Sequence, residues 1–139
     1  MKNEVIYLTK TGHSKKIAEA VAAALGVQAK DIKTKPALEQ VDTLFIVGGI
    51  YGGASDPAML EYAAGLKGDT VKRAALLCSS AGGKTGQGKL RQLLKDNGVE
   101  VCEEEYICRG NFLVVGLGHP NKEEIAGAAA FAKKIAGAP

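Results

Sequence analysis

Short apolar runs and longer amphipathic stretches alternate along this chain. Val5 to Leu8 form a strand-like apolar run. Ser14 then stands at a helix-cap position, followed by Ile17, Val21, Ala24 and Leu25 at helical spacing, with Gly26 as the stop. Val27 to Ile32 reads as a second strand, and Thr43 to Val47 (TLFIV) as a third that runs into glycines. Ser55-Asp56-Pro57 is a helix start, with Asp as the cap, Pro at the first helical position, and Leu60, Ala63 and Ala64 as the inner face. Ala74 to Cys78 (AALLC) is a buried strand, and Leu90, Leu93 and Leu94 mark a helix closed by Asn97-Gly98. Val99 to Cys108 reads as the last strand, with Glu103-Glu104-Glu105 as a candidate interruption. Asn121 caps a final helix that has Glu123 and Glu124 in its first turn and Ile125, Ala128, Ala129, Ala132 and Ile135 facing inward.

The order β-α-β-β-α-β-α-β-α implies a parallel sheet with helices on both faces, an α/β architecture. The ten residues between Ile32 and Thr43 leave a short helix and a plain loop both open. In such sheets ligands bind outside the carboxyl ends of the strands, at the switch point in strand order.

Composition agrees with this pattern. The 139 residues suit a single domain, residues 1–139, without linker or repeat, and 46% hydrophobic content dominated by Ala, Val, Leu and Ile suits buried strands under alanine-rich helices. No segment approaches the roughly 18 apolar residues of a membrane span, and the amino terminus lacks the apolar core of a signal peptide, so a cytoplasmic protein without membrane insertion is expected. Cys78, Cys102 and Cys108 form no C-x-x-C pair, which argues against a disulfide framework or a metal site. A net charge of +3 spread over scattered lysines, with no basic run interleaved with aromatics, argues against nucleic-acid binding.

Three segments at the carboxyl edge carry candidate chemistry. Thr9, Lys10, Thr11, Gly12, His13 and Ser14 join the first strand to a helix. Hydroxyls, a turn glycine and unpaired helix-terminal amides make a phosphate cradle, although an ordinary polar turn capped by Ser14 explains the same residues. In the second segment, Gly48, Gly49, Ile50, Tyr51, Gly52 and Gly53, glycines let the backbone approach a flat ligand on which Tyr51 can stack; a turn with an exposed tyrosine is the alternative. The third is Ser79, Ser80, Ala81, Gly82 and Gly83, running into Lys84-Thr85. A nucleotide P-loop would need glycine where Cys78 stands. Gly116-Leu117-Gly118 lacks the third glycine of a dinucleotide fingerprint, and Leu8-Thr9-Lys10 replaces the acids of a phosphoacceptor domain. His13 and His119 read as loop residues, and no catalytic residue is assigned.

With these motifs in place, the chain resembles the flavodoxin family over nearly its whole length. Thr9 to Ser14 matches the family's Ser/Thr-x-Thr-Gly-x-Thr/Ser phosphate loop. The resemblance implies a flavodoxin-like doubly wound sandwich, a five-stranded parallel sheet of order 2-1-3-4-5, with FMN as cofactor. It makes Tyr51 the stacking aromatic, makes Gly52–Gly53 the peptide that responds to flavin N5, and sets Ser79 to Gly83 against the other flavin face. The tail from Cys108 to Asn121 looks like a short flavodoxin-like branch found in anaerobes.

Three departures matter. The chain is mildly basic where electron-carrying flavodoxins are usually strongly acidic. It has no aromatic in the third segment, which removes about 1 kcal/mol or more of stacking. It also has no room for the strand-five insertion of long-chain members. With Lys10, Lys84 and Arg109 near the carboxyl edge, the flavin's lower reduction potential is expected to be less negative than in an acidic relative. The resemblance implies a monomeric or weakly dimeric electron carrier between a reductase and an acceptor, with acidic docking surfaces on its redox partners. An FMN-dependent reductase, or an interaction module that has lost flavin, are the alternatives.

Overall fold

The structure is a computed structural model that describes residues 2–8, 13–51, 54–55, 57–80, 88–109 and 122–137. Five parallel strands form the sheet: β1 (Asn3–Tyr7), β2 (Ala29–Asp31), β3 (Val41–Tyr51), β5 (Val71–Ser80) and β6 (Glu100–Arg109). A two-residue strand β4 (Ala54–Ser55) turns back antiparallel on the end of β3. The order is β2-β1-β3-β5-β6, which is 2-1-3-4-5 for the parallel strands counted along the chain.

Alternation along the central strands decides which helices cover which face. Val5, Tyr7, Phe45, Val47, Ala75 and Leu77 point to one face, covered by α1 (His13–Leu25) and α4 (Lys122–Ala136). Ile6, Leu8, Leu44, Ile46, Ala74 and Leu76 point to the other, covered by α2 (Pro57–Ala64) and α3 (Gly88–Asp96). The buried positions refine the expected helix faces. Met59 and Ala63 are the inner face of α2, with Leu60 only partly buried and Ala64 exposed. In α4 Phe131 joins Ala128, Ala132 and Ile135 inside, while Ile125 and Ala129 are half-buried. Asp56 and Asn121, the expected caps of α2 and α4, lie outside the described residues.

Two helices end through glycines in the left-handed region. Gly26 (φ +72°) closes α1, its N–H reaching Ala23 O while the Val27 N–H reaches Ala22 O. Gly98 (φ +83°) closes α3 in the same way, with Gly98 N–H to Lys95 O and Val99 N–H to Leu94 O. The first cap shortens the second strand: with the Val27 amide committed to α1, β2 begins only at Ala29. At its far end Asp31 accepts from the Lys33 N–H at 2.9 Å and starts a single 3-10 turn, Ile32–Thr34. The open question about this connection is thereby answered: it holds one 3-10 turn and irregular chain, without an α-helix.

The acidic run in β6 does not end the strand but shifts its register. Ala74 pairs with Val101 whereas Leu76 pairs with Glu105, so β6 carries extra residues across the run. Arg91 of α3 donates to the Cys102 carbonyl at 2.7 Å and to the Glu105 carboxylate at 3.3 Å. On the α4 side Lys134 pairs with Glu104 at 2.8 Å. The irregular segment is thus held from both faces. Tyr106 donates to the Glu124 carbonyl at 2.7 Å and passes Gly127 so closely that a Cβ there would lie 2.5 Å from its hydroxyl. At the amino edge the Lys2 N–H donates to Asp42 at 2.7 Å; with Lys72 beside it, this holds the Asp42 carboxyl below its ordinary range.

Candidate functional site

The strands do not end at one level on the carboxyl side. Tyr7 pairs with Val47, and the Leu8 N–H still reaches Val47 O at 3.1 Å, after which β1 stops. β3, β5 and β6 run on together, with Gly49 beside Ser79 and Ser79 beside Cys108, then Ile50 beside Ser80 and Ser80 beside Arg109. The result is a step in the sheet edge between β1 and β3.

The chain leaves the two strands toward opposite faces: from β1 it goes to α1 on one side, and from β3 to α2 on the other. That divergence is the topological switch point, where a crevice opens for ligand. Of the candidate segments, the described parts are His13 and Ser14 at the start of α1, Gly48 to Tyr51 at the end of β3, and Ser79 and Ser80 at the end of the adjoining strand β5.

Several expected site residues can be placed. His13 is the first residue of α1. Ser14 lies inside the first turn and is 1% exposed; the sequence reading made it a cap just before the helix, whereas the helix begins one residue earlier. Gly49, Ile50 and Tyr51 are the last residues of β3, and Ser79 and Ser80 the last of β5. Thr9, Lys10, Thr11, Gly12, Gly52, Gly53, Ala81, Gly82 and Gly83 lie outside the described residues, as do the side chains of His13, Ile50, Tyr51, Ser79 and Ser80. Lys84, the Arg109 side chain and His119 lie outside them as well.

The first turn of α1 has a charge pattern that the sequence reading passed over. It carries no acidic residue but has Lys15 and Lys16, both exposed. Cations at a helix N-terminus oppose the positive end of the macrodipole, and an anion there would relieve both. At α4 the first turn instead holds Glu123 and Glu124, so the helix supplies its own counter-charge. A phosphate therefore suits α1. Buried Gly48 and, beside it, Gly49 present strand backbone without side chains to a planar group on the far side of the step. The described residues fit a ligand with an anionic end and a flat end.

Beneath the third segment, Cys78 is fully buried with its Sγ 3.7 Å from Glu105, and Arg91 holds the same carboxylate. The sequence reading missed this chain because it depends on the register shift in β6. Burial pushes the Cys102 thiol up, which makes it a poor nucleophile. Among the described residues no cluster of His, Cys, Asp or Glu could hold a metal ion, and no helix is long and apolar enough to cross a membrane.

Comparison with known proteins now has a site to refer to. Residues 4–129 match the flavodoxin domain. The chain belongs to the flavodoxin family. Flavodoxins are FMN-binding proteins, and FMN, with its phosphate and its planar ring, has the anionic end and the flat end that the described residues fit.

Among solved structures, this flavodoxin is similar to one from the domain Archaea, with a TM-score of 0.80, 16% identity, and coverage of 98% of this chain and 96% of that one. It is similar to flavodoxin 2 of Bacillus cereus, with a TM-score of 0.74, 13% identity and 98% coverage of both chains. It also matches rubredoxin oxygen:oxidoreductase from Desulfovibrio gigas, with a TM-score of 0.71 and 14% identity, covering 97% of this chain but 35% of that one. No curated protein matches the sequence.

Proposed function

We propose that this flavodoxin is an FMN-loaded electron carrier, passing electrons from a reductase to an acceptor through transient contacts with acidic partners. The observation that carries this reading is the step at the β1–β3 switch point, with a basic helix start on one side and side-chain-free strand backbone on the other. Thr9 to Ser14 would hold the phosphate, with the α1 amides behind them and Lys15 and Lys16 adding positive potential. Gly49 to Gly53, Tyr51 among them, would cover one face of the flavin, and Ser79 to Gly83 the other. Bound there, the flavin supplies the redox chemistry, and the protein tunes its potential through charge and hydrogen bonding.

The match to two flavodoxins over nearly their whole length supports the carrier reading. The net charge of +3 suits partners of the opposite sign, because complementary charge speeds encounter between transient partners. A cytoplasmic, monomeric or weakly dimeric protein accords with this role. A second reading, a reductase or its accessory, draws on the match to part of an oxidoreductase.

The test is a visible spectrum of the purified protein during titration with FMN. Flavin bands with quenched fluorescence and a saturable end point are expected. Absence of binding at micromolar protein would overturn both readings and leave an interaction module. Rapid turnover of a nicotinamide cofactor with a small acceptor and no protein partner would favour the reductase.

A further inference from the structure

The connection from β2 to β3 crosses β1, which lies between them, in the nine residues 32–40 with only one 3-10 turn. Crossovers between parallel strands usually carry a helix. Here Ile32 and Leu38 plug the core, and a recess of about 440 Å³ remains beside them. Its floor is Leu8 and Ile32, one wall is Ala58 and Tyr62 of α2, and its rim carries Lys33, Lys35 and Glu61.

We propose that this recess is a docking socket for a carboxylate-bearing apolar segment of an acidic redox partner. The proposal rests on the electron-carrier reading and gives it a contact point. Apolar surface lies below and two lysines against one glutamate line the rim, so the socket suits an occupant with an apolar body and a negative tip. Neither lysine makes an ion pair among the described residues. The volume lies within the range, roughly 300–1,000 Å³, of sites that enclose small ligands, so one or two side chains fit.

Backbone conformation supplies an independent observation. Lys35 sits at φ +50°, ψ +57°, a left-handed conformation that glycine or asparagine adopts at lower cost. A strained lysine on the rim of a recess is where a functional demand is to be sought. The walls are already tied in place. The Lys35 N–H is bonded to Ile32 O at 2.9 Å, and the Tyr62 hydroxyl donates to Pro36 O at 2.6 Å. Burial, with the Glu4 charge adding to it, pushes the Tyr62 phenol up, so that it keeps the proton it donates.

Position fits the role as well. The recess is on the α2 side of the sheet, opposite α1, so an occupant does not compete for the helix start that suits phosphate. Leu8 directly precedes the first candidate segment, and Ala58 follows the second closely in sequence. A partner seated here would lie beside the cofactor edge.

The experiment is a nitrogen-15 NMR titration of the FMN-loaded protein with a capped acidic tetrapeptide containing one phenylalanine, at low and at high salt. Saturable shifts at the Ile32, Lys33, Lys35 and Tyr62 amides are expected. Binding should weaken about tenfold or more in the Lys33→Glu/Lys35→Glu double variant and at high salt. The milder Lys33→Gln/Lys35→Gln pair should show an intermediate loss, and serves should the charge reversal disturb folding. Shifts centred on Lys15 and Lys16, equal binding by the variants, or no saturable shifts would overturn the socket. FMN titration of the same proteins separates the two ideas. Unaltered FMN binding with lost peptide binding supports the socket, whereas failure of the wild-type protein to bind FMN overturns the carrier reading on which it rests.

Discussion

The two faces of the sheet are built on different plans. Under α1 and α4 the helices interleave small residues, Ala18, Ala22, Ala128 and Ala132, with Ile17, Val21, Phe131 and Ile135, while the strands add Tyr7, Phe45 and Leu77. Under α2 and α3 the helices bring Met59, Leu90 and Leu94, and the β2–β3 connection adds Ile32 and Leu38. The alanine face lets two helices of 13 and 15 residues pack against each other and lie close to the sheet. The opposite face is covered by helices of 8 and 9 residues and a helix-free crossover, and there the recess remains. Long alanine-rich helices lie close to the middle of a sheet and leave a recess of about 340 Å³ at the β2 edge, lined by Tyr7, Ala22 and Val27 among others, whereas short elements with large side chains leave a larger one.

Truncating the sheet's bulk on the α1 and α4 face tests this contrast most severely. Phe45 has the largest of the fully buried side chains. Phe45→Ala should cost about 3–5 kcal/mol, because removing a fully buried ring leaves a cavity that close-packed neighbours refill only in part. Urea unfolding monitored by circular dichroism measures it. A loss under 1 kcal/mol would mean that the helices collapse inward, and the face is not rigid. The reverse change comes next. Ala132→Leu adds volume to a helix position that is fully buried against the same face, and should cost about 1–3 kcal/mol by forcing the helix outward. An unchanged midpoint would show spare room there and erase the distinction between the faces.

These plans were partly legible in the residues. Central strands such as TLFIV announce themselves as continuous apolar runs, and Gly26 and Asn97-Gly98 mark helix ends at the residues where α1 and α3 stop. What could not be read depended on competition between neighbours. Val27 looked like strand but its amide is taken by the end of α1, and Ile32 looked like strand but begins the 3-10 turn that Asp31 caps. The inward side of α2 was set one residue off: Leu60 and Ala64 share helical spacing with Ala63, but so does Met59, and it is Met59 that is buried in the core. At the site, chain order and apolar runs made it legible that β3 ends in Gly48 to Tyr51 and β5 in Ser79 and Ser80. The step between β1 and β3 was not legible, because it depends on how far each strand overruns its neighbour, and apolar runs do not reveal that. Lys15 and Lys16 were visible as residues; their meaning required knowing that they occupy the first turn of a helix.

The smallest expected effect asks whether helix ends share in the difference between the faces. Gly26 and Gly98 close helices on opposite sides through the same pair of hydrogen bonds, and a Cβ at either would meet no atom within 4 Å. Alanine at each therefore pays mainly for the left-handed backbone, about 1 kcal/mol. Their surroundings differ, however. The Gly98 carbonyl lies against Gly68, where an added Cβ would come within 2.4 Å of that oxygen, and the Gly68 N–H donates to Asn97 O at 3.2 Å. If alanine relaxes its φ at position 98, the carbonyl must move against the turn that leads into β5. Gly98→Ala should thus cost somewhat more than Gly26→Ala when both are measured by denaturant unfolding. Equal losses would show that each cap acts only on its own helix. A larger loss at Gly26 would reverse the argument, making the alanine face the one whose helix ends are coupled to the rest of the fold.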